Sequence, residues 1–267
     1  MLATLLSASG QRRLTLTHRL HQALGRHELR LYYQPQVDLQ SGRIVAAEAL
    51  VRWQLADFGL ISPRELIKIA ENTGLRMAID EWVLRQACQQ LQRWRQAGYP
   101  DLCVTVNMSS QEICGDGSIE RVQSILHDTQ LPAPALEIDI AEELVMTRNL
   151  ENVDQLAQLA RLGVRLAVDD FGSGDASLAS LQRFPIQALK IDQSIVHGFA
   201  DNSNDCAIIK AIIAMAQSLQ LKINAKGVET QEQVTFLKAQ GCTVAQGFYF
   251  KEPITAQAFS KLLGVGA

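Results

Sequence analysis

The sequence predicts an α/β fold, a (β/α)8 barrel with one antiparallel strand near its start. Eight short apolar runs, near 30–37, 43–51, 102–106, 135–140, 164–169, 187–191, 221–225 and 243–245, are mostly separated by segments long enough for a helix. At or just past their C-terminal tips stand polar side chains, among them Glu48, Asn107, Asp139, Asp169 with Asp170, Lys190, Lys226 and Gln246. A (β/α) barrel packs its core between strands and gathers functional side chains at their C-terminal rim, so both observations point to one architecture. The third observation is the Ser41-Gly42 turn between the first two runs. It is too tight for a crossover helix, so these two strands pair antiparallel.

The elements follow in order. Residues 11–28 read as a short basic helix on which Leu16, Leu20 and Leu24 recur every four residues and make one face apolar. His18 and His21 lie one turn apart on it with no carboxylate nearby in sequence, so they read as a solvated face and not as a metal pair. A leader without a core of its own looks like a linker, so 1–28 is expected to be a helix from an upstream domain and 29–267 the barrel domain. Strand patterns fill 29–39 and 43–53. Ser62-Pro63-Arg64-Glu65 opens a helix, with Ser as N-cap, Pro in the first turn and Glu at the third position; Gly74 closes it. Arg76–Ala97 is a longer helix with Ile79, Val83, Ala87, Leu91 and Trp94 on one face, stopped by Gly98 and Pro100. Helices recur near 117–129, 149–162, 203–219 and 230–240, each followed by a strand. There is no internal repeat and no low-complexity tract.

Bulk properties narrow the function. At 267 residues the chain buries a sizeable core as one domain. A hydrophobic content of 47% and a formal net charge of −3 give no electrostatic basis for binding a nucleic-acid polymer. A small anionic ligand needs only local positive charge. The five cysteines, Cys88, Cys103, Cys114, Cys206 and Cys242, are odd in number and lack a C-x-x-C pairing, which points to reduced thiols and the cytoplasm. The opening Met-Leu-Ala-Thr-Leu-Leu is too short for a signal sequence, and no apolar stretch is long and charge-free enough for membrane insertion.

The chemistry centres on Asp169-Asp170, which end the run Val164–Val168. Two adjacent carboxylates repel each other and stay ionised together when cations neutralise them, typically divalent metals. The alternative is a loop-capping Asp beside a helix N-cap. Glu48, Asn107 and Asp139 shift the balance: all are hard oxygen donors on separate strands, suited to Mg²⁺ or Mn²⁺ and not to zinc. Lys190 ends a strand too apolar to need a lysine for solubility, and beside carboxylates it can hold a phosphate or orient a water. Arg52 can grip a phosphate through two hydrogen bonds, or is an ordinary surface arginine.

These residues carry a resemblance. Glu48-Ala49-Leu50-Val51-Arg52-Trp53 is similar to the signature that names the EAL-domain family of cyclic di-GMP phosphodiesterases. Tyr33-Gln34-Pro35, Val106-Asn107-Met108-Ser109, Asp169–Gly174, Leu189-Lys190-Ile191-Asp192, Gly227-Val228-Glu229-Thr230 and Gln246-Gly247-Phe248 agree in order and spacing over about 14–264. The resemblance implies a modified TIM barrel that hydrolyses one phosphodiester of cyclic di-GMP to linear pGpG with bound Mg²⁺ or Mn²⁺. By position, Glu48, Asn107, Asp139 and Asp169 would hold a first ion. Asp169 and Asp170 would share a second, and Lys190 would orient the attacking water. Glu142 matches a glutamate that pins the loop after the Asp pair. Gln34, Leu50 and Arg52 match positions contacting the dinucleotide. Gln246, a polar residue of the second-metal region, and Glu229 complete the expected ligand-binding set. The implied partners are cyclic di-GMP, an upstream signalling domain, and a second copy of the chain or an effector protein.

Four departures qualify that reading. Lys226 stands where the family has a glutamate that binds the second metal or activates water, reversing the local charge. At ~4 Å and an effective dielectric near 20, a lysine repels a divalent ion by roughly 8 kcal/mol before relaxation. Asp139 is one methylene shorter than the usual Glu, Ala141 replaces a Thr, and Asp175-Ala176 replace a Tyr-Ser pair in the loop that couples dimer contacts to metal binding. The expected metal content therefore falls to one ion or none. Three readings follow: a cyclic di-GMP receptor with a degenerate site, a working phosphodiesterase, or an interaction module without ligand. Intact Gln34, Leu50, Arg52, Asn107 and Lys190 favour retention of the ligand.

Overall fold

The computed structural model describes residues 2–146, 150–172, 181–198 and 203–264. The Asp175-Ala176 departure lies outside them. Among the described residues, ten strands form one sheet: β1 (Leu29–Asp38), β2 (Ile44–Leu55), β3 (Gly59–Ile61), β4 (Cys103–Asn107), β5 (Leu136–Ala141), β6 (Arg165–Phe171), β7 (Ala188–Ile191), β8 (Lys222–Ala225), β9 (Val244–Ala245) and β10 (Ile254–Thr255). Eight of them close a barrel in the order β1-β9-β8-β7-β6-β5-β4-β2, with β2 returning to β1; β3 and β10 extend it outside. The reversed strand is β1, antiparallel to both β2 and β9, whereas every other neighbouring pair in the barrel is parallel.

Side chains alternate across each strand. Residues on the outer face bury themselves against helices. Tyr33 on β1 meets Trp94 edge-on with ring centroids 4.8 Å apart, and Trp94 packs at 4.8 Å on Phe259. The inner face is unusually polar. Thr105, Asp139, Lys190, Asn224 and Gln246 are all buried there, alternating with branched apolar neighbours such as Val104, Ile138, Leu189 and Ile223.

The leader is a longer helix than expected, α1 (Leu2–Ala23). It is not a bare connector: Leu16, Leu20 and Ala23 are buried in the same core as the barrel residues. Arg12 forks onto Glu65 at 2.8 and 3.1 Å, and Arg19 reaches Asp57 at 2.6 Å. His18 and His21 point to solvent, as the sequence predicts. In α2 (Pro63–Thr73) the Ser62 hydroxyl accepts from the Glu65 amide at 3.2 Å, and Gly74 closes the helix at φ 70°. In α3 (Arg76–Gln96) the buried stripe includes Ile79, Val83, Ala87, Leu91 and Trp94. Among the described residues, no helix is long and apolar enough to cross a membrane.

Candidate functional site

The middle of β2 and the C-terminal halves of β4, β5, β6 and β7 converge on one acidic cluster. Carboxylate oxygens of Glu48, Asp139 and Asp169 lie within 4.8 Å of one another, all three side chains buried. The Asn107 amide donates to Glu48 Oε1 at 2.9 Å. Gln246 Nε2 donates to Gln34 Oε1 at 2.8 Å and also to Glu48 Oε2. Gln34 Nε2 in turn donates to the Lys251 carbonyl at 3.1 Å. Glu48 is therefore held from two sides, which fixes the carboxylate before any ligand arrives.

Two lysines enter the cluster from opposite ends. Lys190 is 1% exposed, and its Nζ lies 2.7 Å from each Asp139 oxygen and 3.0 Å from Glu137 Oε1. Lys226 Nζ lies 2.8 Å from both oxygens of Asp169 and 2.8 Å from Asp170 Oδ1. Adjacent strand residues normally face opposite sides; Asp170 reaches the same ammonium because its backbone turns left-handed, at φ 50°. That conformation is uncommon outside glycine, and Asp is among the residues that tolerate it. Just beyond, the Gly172 amide donates to Glu142 Oε2 at 3.1 Å.

Charge and burial compete throughout. Burial alone would raise the Glu48 carboxyl, but Lys226 and Lys190, with the two amide donors, hold it below its ordinary value. At Asp139 burial prevails over Lys190, aided by repulsion from Asp169, Glu137 and Glu48, and the carboxyl is pushed up. Asp169 is likewise raised by burial, against Lys226. Burial opposes the charged form of both lysines, yet the surrounding carboxylates win and raise them further. Both ammonium groups are thus fixed charges.

Above the cluster opens a cleft of about 600 Å³ that reaches Glu48, Asn107, Asp139, Asp169, Asp170 and Lys226. Leu50 and Arg52, two and four residues beyond Glu48 on the same face of β2, line its wall, and residues of α2 and α3 complete it. Arg52 Nη1 donates to the Val51 carbonyl at 2.9 Å, and its guanidinium lies over the Tyr32 ring at 5.8 Å. Gln34 and Gln246 sit buried beside Glu48, behind the cleft wall. Glu229 does not join them: it is exposed and faces His197 at 3.4 Å.

Sequence reasoning missed two groups. Arg76 and Asp80 line the cleft as an i,i+4 pair, with Nε 2.9 Å from both carboxylate oxygens and Asp80 Oδ2 accepting from the Ser109 amide. Helical spacing would have found them. Glu137 lies beneath Asp139, and the two-residue period of β5 was the available signal.

The model of the EAL domain matches residues 17–253. The chain belongs to the EAL-domain family. Over 252 residues, 94% of its length, it is 39% identical to the bifunctional diguanylate cyclase/cyclic di-GMP phosphodiesterase MucR of Pseudomonas aeruginosa. It is 38% identical over 250 residues to the cyclic di-GMP phosphodiesterase NbdA of the same organism. These stretches make up 37% and 32% of the two relatives, so the chain spans about a third of their length. Among solved structures, the MucR phosphodiesterase in complex with cyclic di-GMP superposes with a TM-score of 0.89 at 39% identity, covering 92% of this chain and 99% of that one. The FimX EAL domain of Pseudomonas aeruginosa, bound to cyclic di-GMP, gives 0.79 at 26% identity, covering 88% and 94%.

Proposed function

We propose that this EAL domain is a cyclic di-GMP receptor whose phosphodiesterase site is degenerate. The observation that carries the reading is the Lys226 ammonium, 2.8 Å from three oxygens of Asp169 and Asp170. It stands where those carboxylates would otherwise share a second divalent ion, and like charge keeps such an ion away. The remaining hard oxygens fit a single ion: Glu48, Asp139 and Asp169, with the Asn107 amide oxygen, are the set that would hold Mg²⁺ or Mn²⁺. A bound divalent ion supplies Lewis acidity and lowers the pKa of a coordinated water. An ammonium neutralises the Asp pair but cannot acidify a water that way, so binding outlasts hydrolysis. Arg52 and Leu50 supply the ligand wall, with Gln246, itself bonded to Gln34, holding Glu48 behind it. Glu229 drops out of the ligand set.

A second reading, a working single-metal phosphodiesterase, draws on the same three carboxylates. Calorimetric titration with cyclic di-GMP in EDTA, followed by a hydrolysis assay with Mg²⁺ or Mn²⁺, separates the two. The receptor reading expects binding without metal and negligible turnover, and a marked gain in turnover for Lys226→Glu. Full recovery requires Asp139→Glu as well, because both changes act on one cluster and are not additive. Turnover by the parent on the order of 1 s⁻¹ or faster would overturn it. Absence of cyclic di-GMP binding leaves the interaction module without ligand. We also place the domain in the cytoplasm behind an upstream signalling domain, a reading supported by its five cysteines, none of them in a disulfide, and by the greater length of its relatives.

A further inference from the structure

We infer that Glu137 is a positioning residue for cation binding: it retains the Lys190 ammonium one layer below the rim and so frees Asp139 to turn toward an ion shared with Glu48 and Asp169. This rests on the reading of those three carboxylates as one divalent site and is independent of turnover.

The geometry sets a conflict that Glu137 resolves. Lys190 Nζ lies 2.7 Å from both Asp139 oxygens, hydrogen-bonded to Oδ2 while the buried Oδ1 has no hydrogen-bond partner, and its charge competes with any ion for that carboxylate. A fully buried ammonium cannot release its anion into nothing, because an unpaired buried charge is strongly destabilising. Glu137 offers the second anion, 3.0 Å from Nζ and two residues earlier on β5, hence on the same face. Its carboxylate is fixed in turn: Thr105, its register partner on β4, donates from Oγ1 to Glu137 Oε1 at 3.2 Å. When Asp139 turns upward, Lys190 keeps Glu137. Without Glu137, every ion would have to strip Lys190 of its last carboxylate.

The test uses Mn²⁺ alone as probe, titrated calorimetrically into the whole chain without nucleotide, with thermal unfolding as a check on folding. Glu137→Gln should weaken Mn²⁺ binding by about 10–100-fold, the range for partners that orient metal ligands. Adding Lys190→Met to that variant should restore affinity to near the parent, since nothing then clamps Asp139. A merely structural role for Glu137 would not be reversed by removing a second charged residue. Unchanged affinity in Glu137→Gln overturns the inference, and so does a loss that Lys190→Met fails to recover. Should Glu137→Gln not fold, Thr105→Val loosens the same carboxylate and should show a smaller loss in the same direction; no loss there overturns the inference. A parent that takes up no Mn²⁺ overturns it together with the one-ion reading, whereas the cyclic di-GMP titration in EDTA judges the receptor reading by itself.

Discussion

Lys190 and Lys226 serve the same acidic cluster from opposite ends, and their surroundings differ. Lys190 is sealed inside the barrel between Asp139 and Glu137, with 1% of its side chain exposed. Lys226 stands at the rim with 18% exposed, and its partner Asp170 is 56% exposed. Buried, an ammonium belongs to the fold, because every carboxylate around it depends on its charge. At the rim, an ammonium is exchangeable with water or a metal, so it sets chemistry more than stability. The same residue type is sealed in the core at one end and open to solvent at the other.

The largest effect that could break this contrast is on folding. Lys190→Met should lower the unfolding free energy by about 3–5 kcal/mol, the usual result of removing one member of a buried ion pair. Lys226→Met should cost roughly 1.5 kcal/mol, the low end for charge-assisted hydrogen bonds. Urea unfolding of both variants measures the difference, and equal losses would abolish the distinction.

Next in size is the effect on ligand. Arg52→Ala, on the cleft side of the cluster, should weaken cyclic di-GMP binding by about 1.5–3 kcal/mol through loss of a charge-assisted phosphate contact. Calorimetry should find Lys226→Met weakened as well, with Arg12→Ala, on the far side of α2, unchanged. Unchanged affinity in Arg52→Ala would remove that arginine from the ligand wall.

The smallest effect is in acid and has opposite signs at Glu137 and Asp169. Glu137 is held below its ordinary 4.5, burial being outweighed by Lys190, so its stabilisation is present above pH 4.5 and fades as pH falls through the folded value. Glu137→Gln should be less stable than the parent at pH 7, and the gap should close below about pH 4.5. Asp169 is raised above its ordinary 3.8, so its contribution is complete below that pH and is lost as pH rises through the folded value. Asp169→Asn should therefore gain on the parent as pH rises through that window. Unfolding curves at several pH values that shift both variants in one direction would contradict the assignment.

The barrel itself was legible because strand periodicity and turn chemistry are local. The eight runs match the eight barrel strands to within a few residues, and the Ser41-Gly42 turn gave the antiparallel pair. Two strands escaped notice, β3 and β10, since two or three residues carry no period of their own and pair only because longer neighbours present an edge. The leader was underestimated for a similar reason: Leu16 and Leu20 showed an apolar face, but only the packed structure supplied the core that covers it.

At the site, sequence determined which groups face the cluster, because the two-residue alternation of each strand sets the side to which a residue points. Glu48, Asn107, Asp139 and Asp169, and both lysines, follow from that. What only the tertiary structure decided is pairing. Which carboxylate each ammonium takes depends on distances across a closed barrel, between residues 51 to 57 positions apart in the chain. The left-handed turn at Asp170 brought the second carboxylate to Lys226, the alternation of β5 put Glu137 beneath Lys190, and exposure beside His197 took Glu229 out of the cleft. Local sequence specifies the charges; closure of the barrel specifies their partners, because a Coulomb energy depends on separation and burial that no single segment contains.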